Sequence, residues 1–424
     1  MSKPKRFQLR SSSITNFKAC PTRFRLANRE GIRAVEDTEA QRMGTNWGGL
    51  HEVYQNAYRD AAAALQEQVD AGHAGDDTIP EQAHEAGLEA AIEHLNTRYA
   101  EVPASKTPEE WAIERQILIT SFIGYLWYWQ DDPFTPVASE ATFDLPLHAP
   151  QTGLPMPLSQ VIRQGMIDHI VVWQGRLVNV ERKSTSKNIE PEGTYWEKAQ
   201  KDTQVSMYAL AFRDMLESGT LPDAVAAFIE QNSPEFGNTL YDVWHRPKVK
   251  PSKLSQKDTD SFIESGEYCG QNFEVTAEPH QDENGDTVYN IRVDGEEAEV
   301  EMGKSGKPAV RETVGMFGAR LLADIQERPA YYFQRREIAR TDRDLARFRV
   351  ELANIYQAMR NFDRSGCWYE NEQQCRATFP CEFIPICYGP GADAVCSGEV
   401  DLPDGFKRVP VELTREQQRI QEDG

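Results

Sequence analysis

Two neighbouring stretches, MIDHIVVW (residues 166–173) and RLVNVERK (176–183), are rich in β-branched residues and read as strands. Gln174-Gly175 between them is a two-residue hairpin loop with glycine second. That turn sets a register. If Trp173 faces Arg176, then Asp168 faces Glu181, and Lys183 follows two residues along the same side of its strand. The pattern therefore predicts a hairpin that projects two carboxylates and an ammonium from one face, among apolar neighbours.

The rest of the chain groups around this hairpin. Ser11-Ser12-Ser13 before ITNFKACPTRFRLAN predicts a short capped helix broken near Pro21. MGTNWGGLHEVYQNAYRDAAAALQEQ reads as the start of a long helix, where Gly44, Gly48 and Gly49 permit close backbone approach. Residues 72–132 read as helices with polar joints: HAGDDTIPE is a loop, and Thr107-Pro108-Glu109-Glu110 is a capping box with proline at the first helical position. ASEATFDLPL reads as a strand entering a sheet. KAQKDTQVSMYALAF lies in a helix over 195–218, and DAVAAFIEQNS and NTLYDVWHRPKVK read as further strands. Between 251 and 308, NFEVTAEP, DTVYNIRV and EAEVEMG alternate over short spans, with Asn284-Gly285 as a turn; this predicts a small, acidic β-meander inserted in the core. Helix then resumes, broken around Pro329. Strand, helix and strand in succession predict an α/β fold: a mixed central sheet with helices on its faces.

Composition narrows the class. The 424 residues are 39% hydrophobic and 27% charged, as in globular proteins, and the net charge of −21 is not that of a typical nucleic-acid binder. MSKPKRFQLRSSS has positive charge but no apolar segment after it, so it does not read as a secretory signal. No run of about eighteen apolar residues is present, so no membrane span is expected. Seven cysteines, an odd number, without a secretion signal point to a reducing cytoplasm and to metal ligation or free thiols.

The chemistry is concentrated on the hairpin. Two carboxylates and an ammonium are costly to bury together. A divalent cation removes the conflict, and hard oxygen ligands suit Mg2+ or Mn2+. The bland alternative is a solvated strand face with a weak Glu181–Lys183 pair. Gln204 and Tyr208 are four residues apart and share one helix face. Lys187, Lys198 and Lys201 cluster along the same part of the sequence, either as solvated lysines or as phosphate contacts. RPAYYFQRREIAR is basic and aromatic: Tyr331, Tyr332, Phe333, Arg335 and Arg336 either bind a single strand or pack a sheet edge.

D…ExK on such a hairpin, followed by Gln204-Val-Ser-Met-Tyr208 as QxxxY, resembles the PD-(D/E)XK nuclease superfamily. The nearer likeness is to its RecB-like branch, with AddB-type, CRISPR-associated and phage exonucleases. The resemblance implies a restriction-endonuclease-like core and Mg2+- or Mn2+-dependent hydrolysis of DNA at ends or on single strands. Asp168 and Glu181 would bind the cation, with His51 and the Arg182 carbonyl completing its shell. Lys183 would orient or help deprotonate a water, and Gln204 and Tyr208 would hold the scissile strand. Lys187, Lys198, Lys201, Arg335 and Arg336 would be the DNA contacts. Glu140 matches a position often acidic in relatives and would be an outer member of the site. The glycine-then-histidine motif is spelled longer here than the usual G-x-x-x-H. A helicase or recombinase partner, and the cytoplasm of a prokaryote or phage-infected host, go with this branch.

Ser13, Phe17, Cys20, Pro21 and Phe24 resemble the N-terminal signature of its iron–sulfur members, and PCEFIPIC resembles the closing piece of their staple. That implies a [4Fe-4S] cluster on Cys20, Cys375, Cys381 and Cys387, with Cys367 the alternative to Cys375 and a zinc site on the same thiolates the rival. Cys269 and Cys396 match nothing. The implied organisation is an N-terminal helical region with the first cysteine (1–131), the nuclease core (132–250), the acidic β-meander (251–309), C-terminal helices with the cysteine cluster (310–396) and a loosely ordered tail (397–424). The competing functional readings are a non-catalytic nucleic-acid-binding or recombination-partner module and a structural zinc protein.

Overall fold

The expected hairpin forms the centre of a mixed sheet. The computed structural model describes residues 6–70, 79–132, 134–281, 287–303, 307–377 and 379–411. The expected turn at Asn284-Gly285, most of the HAGDDTIPE loop and the end of the tail lie outside the described residues. The sheet is built from β1 (Phe7–Leu9), β2 (Thr135–Leu145), β3 (Val161–Trp173), β4 (Arg176–Thr185), β5 (Thr239–His245) and β6 (Phe333–Ile338). β2 and β4 run antiparallel to β3. β5 is parallel to β4, and β6 is antiparallel to β5. β1 adds parallel to the first residues of β3. Glu235–Phe236 pairs parallel with the start of β4.

The turn determines the register as the sequence predicts. Gln174 and Gly175 both have positive φ, 48° and 77°, which matches the twist of the flanking strands. The ladder runs from Trp173↔Arg176 to His169↔Val180 and stops there, one step short of Asp168 and Glu181. From Val180 onward β4 pairs with β5 instead. The two strands thus part at the carboxylates.

β2 and β3 are irregular at the same level. Ser139↔His169 and Ala141↔Ile167 bracket Glu140 and Asp168, which stand opposite each other where the ladder is interrupted. Glu140 has φ 51°, a left-handed conformation unusual for a residue with a side chain. The pleat changes phase here. Ile167 below this point and Ile170 above it belong to one core cluster, although strict alternation would send them to opposite faces.

One face of the sheet is covered by α1 (Ser11–Ala19), α5 (Thr203–Ser218) and α6 (Asp342–Ser365). On α6, Leu345, Phe348, Leu352, Tyr356 and Met359 recur every three or four residues and form the buried stripe. Burying each such side chain stabilises by about 1.5–3 kcal/mol. The other face carries α2 (Glu39–Asp70), α4 (Pro108–Tyr128) and Val314–Glu327, with α3 (Ile79–Arg98) packed on α2. α4 opens with the expected Thr107/Glu110 capping box. The result is the expected mixed sheet flanked by helices, consistent with a restriction-endonuclease-like fold. No helix among the described residues is long and apolar enough to cross a membrane.

Four expectations change. DAVAAFIEQNS is a helix, Asp223–Asn232, because Val225, Phe228 and Ile229 recur at helical and not alternating spacing. The N-terminal region is not purely helical, since β1 joins the sheet. The inserted region has a meander (Val275–Gln281, Thr287–Val293, Glu296–Glu297) but also a helix, Gln256–Ser265. Phe262 of that helix packs with Leu254, Ile291, Val293, Val310 and Met316 in a separate apolar cluster. Within the tail, Phe406–Arg408 pairs with Ile32–Ala34, so that part is ordered.

Candidate active site

Glu181 sits where β3 and β4 part and is only 2% exposed. Its Oε1 accepts from Lys183 Nζ at 2.6 Å and from Gln204 Nε2 at 2.8 Å. Lys183 Nζ also donates to Gln204 Oε1 at 2.7 Å, and the Gln204 amide lies 3.1 Å from the Tyr208 hydroxyl. Strand alternation puts Glu181 and Lys183 on one side of β4. The four-residue spacing puts Gln204 and Tyr208 on one side of α5. The other oxygen of Glu181, Oε2, is buried and has no hydrogen-bond partner among the described residues. An orphaned buried carboxylate oxygen is costly and calls for a cation or another donor.

The electrostatics agree. Burial, then the nearby Asp168 charge, raises the Glu181 carboxyl to about 8. Burial works against the Lys183 ammonium, but Glu181 beside it overrides this and raises its pKa. Burial and Glu181 together push the Tyr208 hydroxyl well up. Sequence reasoning missed Asp202, the N-cap of α5, whose Oδ1 accepts from Gln204 N at 2.6 Å. Its charge also acts on Glu181 and Lys183. An aspartate just before the QxxxY helix was the available signal. Tyr241, directly opposite Glu181 on β5, places its ring 6.0 Å from Lys183 Nζ. No sequence pattern marked it.

His51 is not beside these groups. Arg182 alternates with Glu181 and points to the reverse face, 3.7 Å from Asp242. α2 covers that face, because Trp47 stacks on Trp244 at 4.3 Å. His51, one turn further, is boxed by Tyr125 at 4.5 Å, Trp47 at 4.9 Å and Phe122 at 5.0 Å. Burial, then the Arg182 charge, holds its pKa well below the usual range. His51 therefore packs on the Arg182 side of β4, where its buried Nε2 has no hydrogen-bond partner among the described residues.

Arg335 is corrected. Its side chain is 4% exposed, lies between the rings of Trp129 (4.1 Å) and Phe134 (3.8 Å), and faces Asp132 and Asp242. It is a buried partner of the reverse face, not a DNA contact. Tyr332 and Phe333 are buried, which favours the packing reading of that segment. Arg336 is exposed, donates to the Pro191 carbonyl at 3.0 Å and lies over Trp196. Lys187, Lys198 and Lys201 are exposed, and Lys187 adjoins Lys198.

The cysteines come together from both ends of the chain. Cys20, Cys375, Cys381 and Cys387 line one cavity, with Arg23, Glu370 and Phe383. Asn371 N donates to Cys20 Sγ at 3.4 Å, and Cys381 N donates to the Cys375 carbonyl at 2.8 Å. Burial, then the Glu370 charge, pushes the Cys387 thiol up to about 12. Cys367 is exposed and outside this cavity. Cys269 is exposed in the inserted region, and Cys396 packs in the apolar cluster behind Cys381 and Cys387. Among the described residues, no three His, Cys, Asp or Glu side chains converge tightly enough to enclose an ion as they stand.

The family model of the PD-(D/E)XK nuclease superfamily matches residues 9–388, from the first strand of the sheet past the last of the four cavity cysteines. No curated protein and no solved structure matches the chain. With the D…ExK hairpin and the QxxxY helix meeting in one hydrogen-bonded group, the match over most of its length places the chain in the PD-(D/E)XK nuclease superfamily.

Proposed function

We propose that the protein is a Mg2+- or Mn2+-dependent deoxyribonuclease of the RecB-like branch, degrading DNA from its ends. The observation that carries this reading is Glu181: buried, bonded to Lys183 and Gln204 through one oxygen, and without a partner on the other among the described residues. Asp168 and Glu181 would hold the cation, and the Arg182 carbonyl is the backbone candidate beside them. When bound, such a cation acts as a Lewis acid toward a phosphoryl oxygen and acidifies water. Lys183, held beside Glu181, would orient or help deprotonate the attacking water and offset phosphate charge. Gln204 fixes both Glu181 and Lys183, and Tyr208 backs Gln204. Exposed Lys187, Lys198, Lys201 and Arg336 near this face are the candidate phosphate contacts. They give a local basic rim on a chain of net charge −21.

The four cavity cysteines support a [4Fe-4S] cluster that clips the first helix to the C-terminal segment. A helicase or recombinase partner and a phage or prokaryotic setting complete the reading. The test is digestion of end-labelled linear and closed circular DNA with Mg2+ or Mn2+. Linear DNA is degraded and circles are spared; Glu181→Ala and Lys183→Ala each lose about 10²–10³-fold in rate. Full activity in Asp168→Ala, or no metal-dependent cleavage by the wild type, overturns it in favour of a non-catalytic binding module. Iron and sulfide analysis after anaerobic purification tests the cluster; zinc in their place assigns the rival site.

A further inference from the structure

We propose that the cavity between the start of α2, the end of α3 and the start of α4 binds a compact organic cation with N–H donors, an alkylammonium or a guanidinium. The first support is one buried oxygen. Asn46 lines this cavity, is 2% exposed, and its Oδ1 has no hydrogen-bond partner among the described residues. The neighbours of Asn46 fix which way its amide faces. The Tyr99 hydroxyl has one proton and donates it to Glu114 Oε1 at 2.8 Å. Burial and the Glu114 charge raise the pKa of that hydroxyl, so the proton stays on it. Its oxygen then accepts from Asn46 Nδ2 at 3.3 Å. Turning the amide over would set two acceptors against each other, so the group left over at the cavity is an oxygen that needs a donor. Arg42 beside it is committed elsewhere. Its Nε and Nη2 donate to Glu114 at 2.6 and 2.8 Å, and its Nη1 donates to the Asp37 carbonyl at 3.2 Å.

The second support is charge. Glu114 matches Arg42 in a bidentate pair. The remaining charged residues on the wall are Glu36, Asp37 and Glu101 against Arg98, three carboxylates against one guanidinium, which leaves two negative charges. The third is size. The cavity volume is about 200 Å³. One water needs about 10–15 Å³, so there is room for a group of several heavy atoms. Trp111 adds a flat apolar wall suited to a cation, its Nε1 already donated to the Tyr99 carbonyl at 3.0 Å. Among the described residues no three His, Cys, Asp or Glu side chains gather tightly enough to enclose a metal ion, and the carboxylates here are spread around a wider space. None of Asp168, Glu181, Lys183, Gln204 and Tyr208 lines the cavity, so it is a site apart from the nuclease group.

Isothermal titration calorimetry of the full-length protein at low salt, without DNA, tests this. The probes are spermidine, methylguanidinium, Nα-acetyl-arginine methylamide and tetramethylammonium. At least one of the three N–H cations is expected to bind saturably at one site. Tetramethylammonium has the charge but no N–H to donate to Asn46, and is expected to bind at least about tenfold more weakly. Asn46→Leu is expected to lose at least about tenfold in affinity for the N–H cation. Glu36→Gln together with Glu101→Gln changes two exposed side chains and is expected to cost about threefold or more. These comparisons separate the cavity from the general attraction of a chain of net charge −21 for any cation. Binding of spermidine without the capped arginine assigns a free polyamine as the ligand; binding of the capped arginine assigns the side chain of a protein partner. No saturable binding by any N–H cation leaves water as the donor to Asn46 and overturns the proposal. Tetramethylammonium binding as tightly as methylguanidinium overturns it too, as does full affinity in Asn46→Leu. If Asn46→Leu fails to fold, full affinity in the Glu36 and Glu101 variant overturns it instead.

Discussion

At the scale of single residues, the site is a sharing arrangement. One glutamate oxygen, one amide and one ammonium satisfy each other, and the second glutamate oxygen is left over. Removing the amide should therefore damage two groups at once. Gln204→Leu frees Lys183 and Glu181 together, and the cleavage rate should fall by about 10²-fold with KM little changed; an effect confined to KM would make Gln204 a substrate contact instead. On the reverse face, His51 and His169 are buried and neutral. Burial, then the Arg182 charge, depresses both, His169 to about 2. Their folded pKa values lie below the unfolded value of about 6.5. Below that pH the unfolded chain takes up protons that the folded chain cannot, so stability falls as pH falls, by about 1.4 kcal/mol per pH unit for each proton. Urea unfolding of the metal-free protein between pH 5 and pH 7.5 should show His51→Phe gaining on the wild type as the pH drops. Parallel curves would mean that His51 takes up a proton in the folded state.

At the scale of elements, β3, α5 and α6 are tied through one partly buried ion triad. Asp214 of α5 takes Arg163 of β3 and Arg349 of α6. Arg163 is 1% exposed. Asp214→Ala leaves that guanidinium buried without its counter-ion and should destabilise by about 3–5 kcal/mol, read as a lowered denaturation midpoint. A loss under about 1 kcal/mol would show that water reaches Arg163. This triad holds α5, and with it Gln204 and Tyr208, against the hairpin strand, so a loosened α5 should also cost activity. The hairpin is legible in the sequence because its register depends on a two-residue turn and local spacing. The helix Asp223–Asn232 reads as a strand in the sequence because a ten-residue apolar segment shows barely three turns of periodicity.

At the scale of the whole molecule, the chain is closed by its ends. Cys20 and the cysteines from Cys375 to Cys387 meet across most of the sequence, and Phe406–Arg408 pairs with Ile32–Ala34 beside them. A cluster on these thiolates would close a very long loop and remove entropy from the unfolded state, a gain on the order of several kcal/mol. Cys387→Ser should then lose iron and become protease-sensitive around Pro21 and Pro385 together, since one clip secures both. Cleavage of only one end would show that the termini are held independently.

Sequence alone determined what depends on neighbours along the chain: the hairpin and its register, the shared face of Gln204 and Tyr208, and the Thr107/Glu110 capping box. Turn geometry and helical or strand period are local, so they survive without knowledge of the fold. Tertiary structure alone decided which face of the sheet α2 would cover, and so put His51 and Arg335 on the Arg182 side of β4. It also decided where the pleat between β2 and β3 changes phase, around Glu140. Those outcomes follow from how whole layers pack, and no run of residues encodes them by itself.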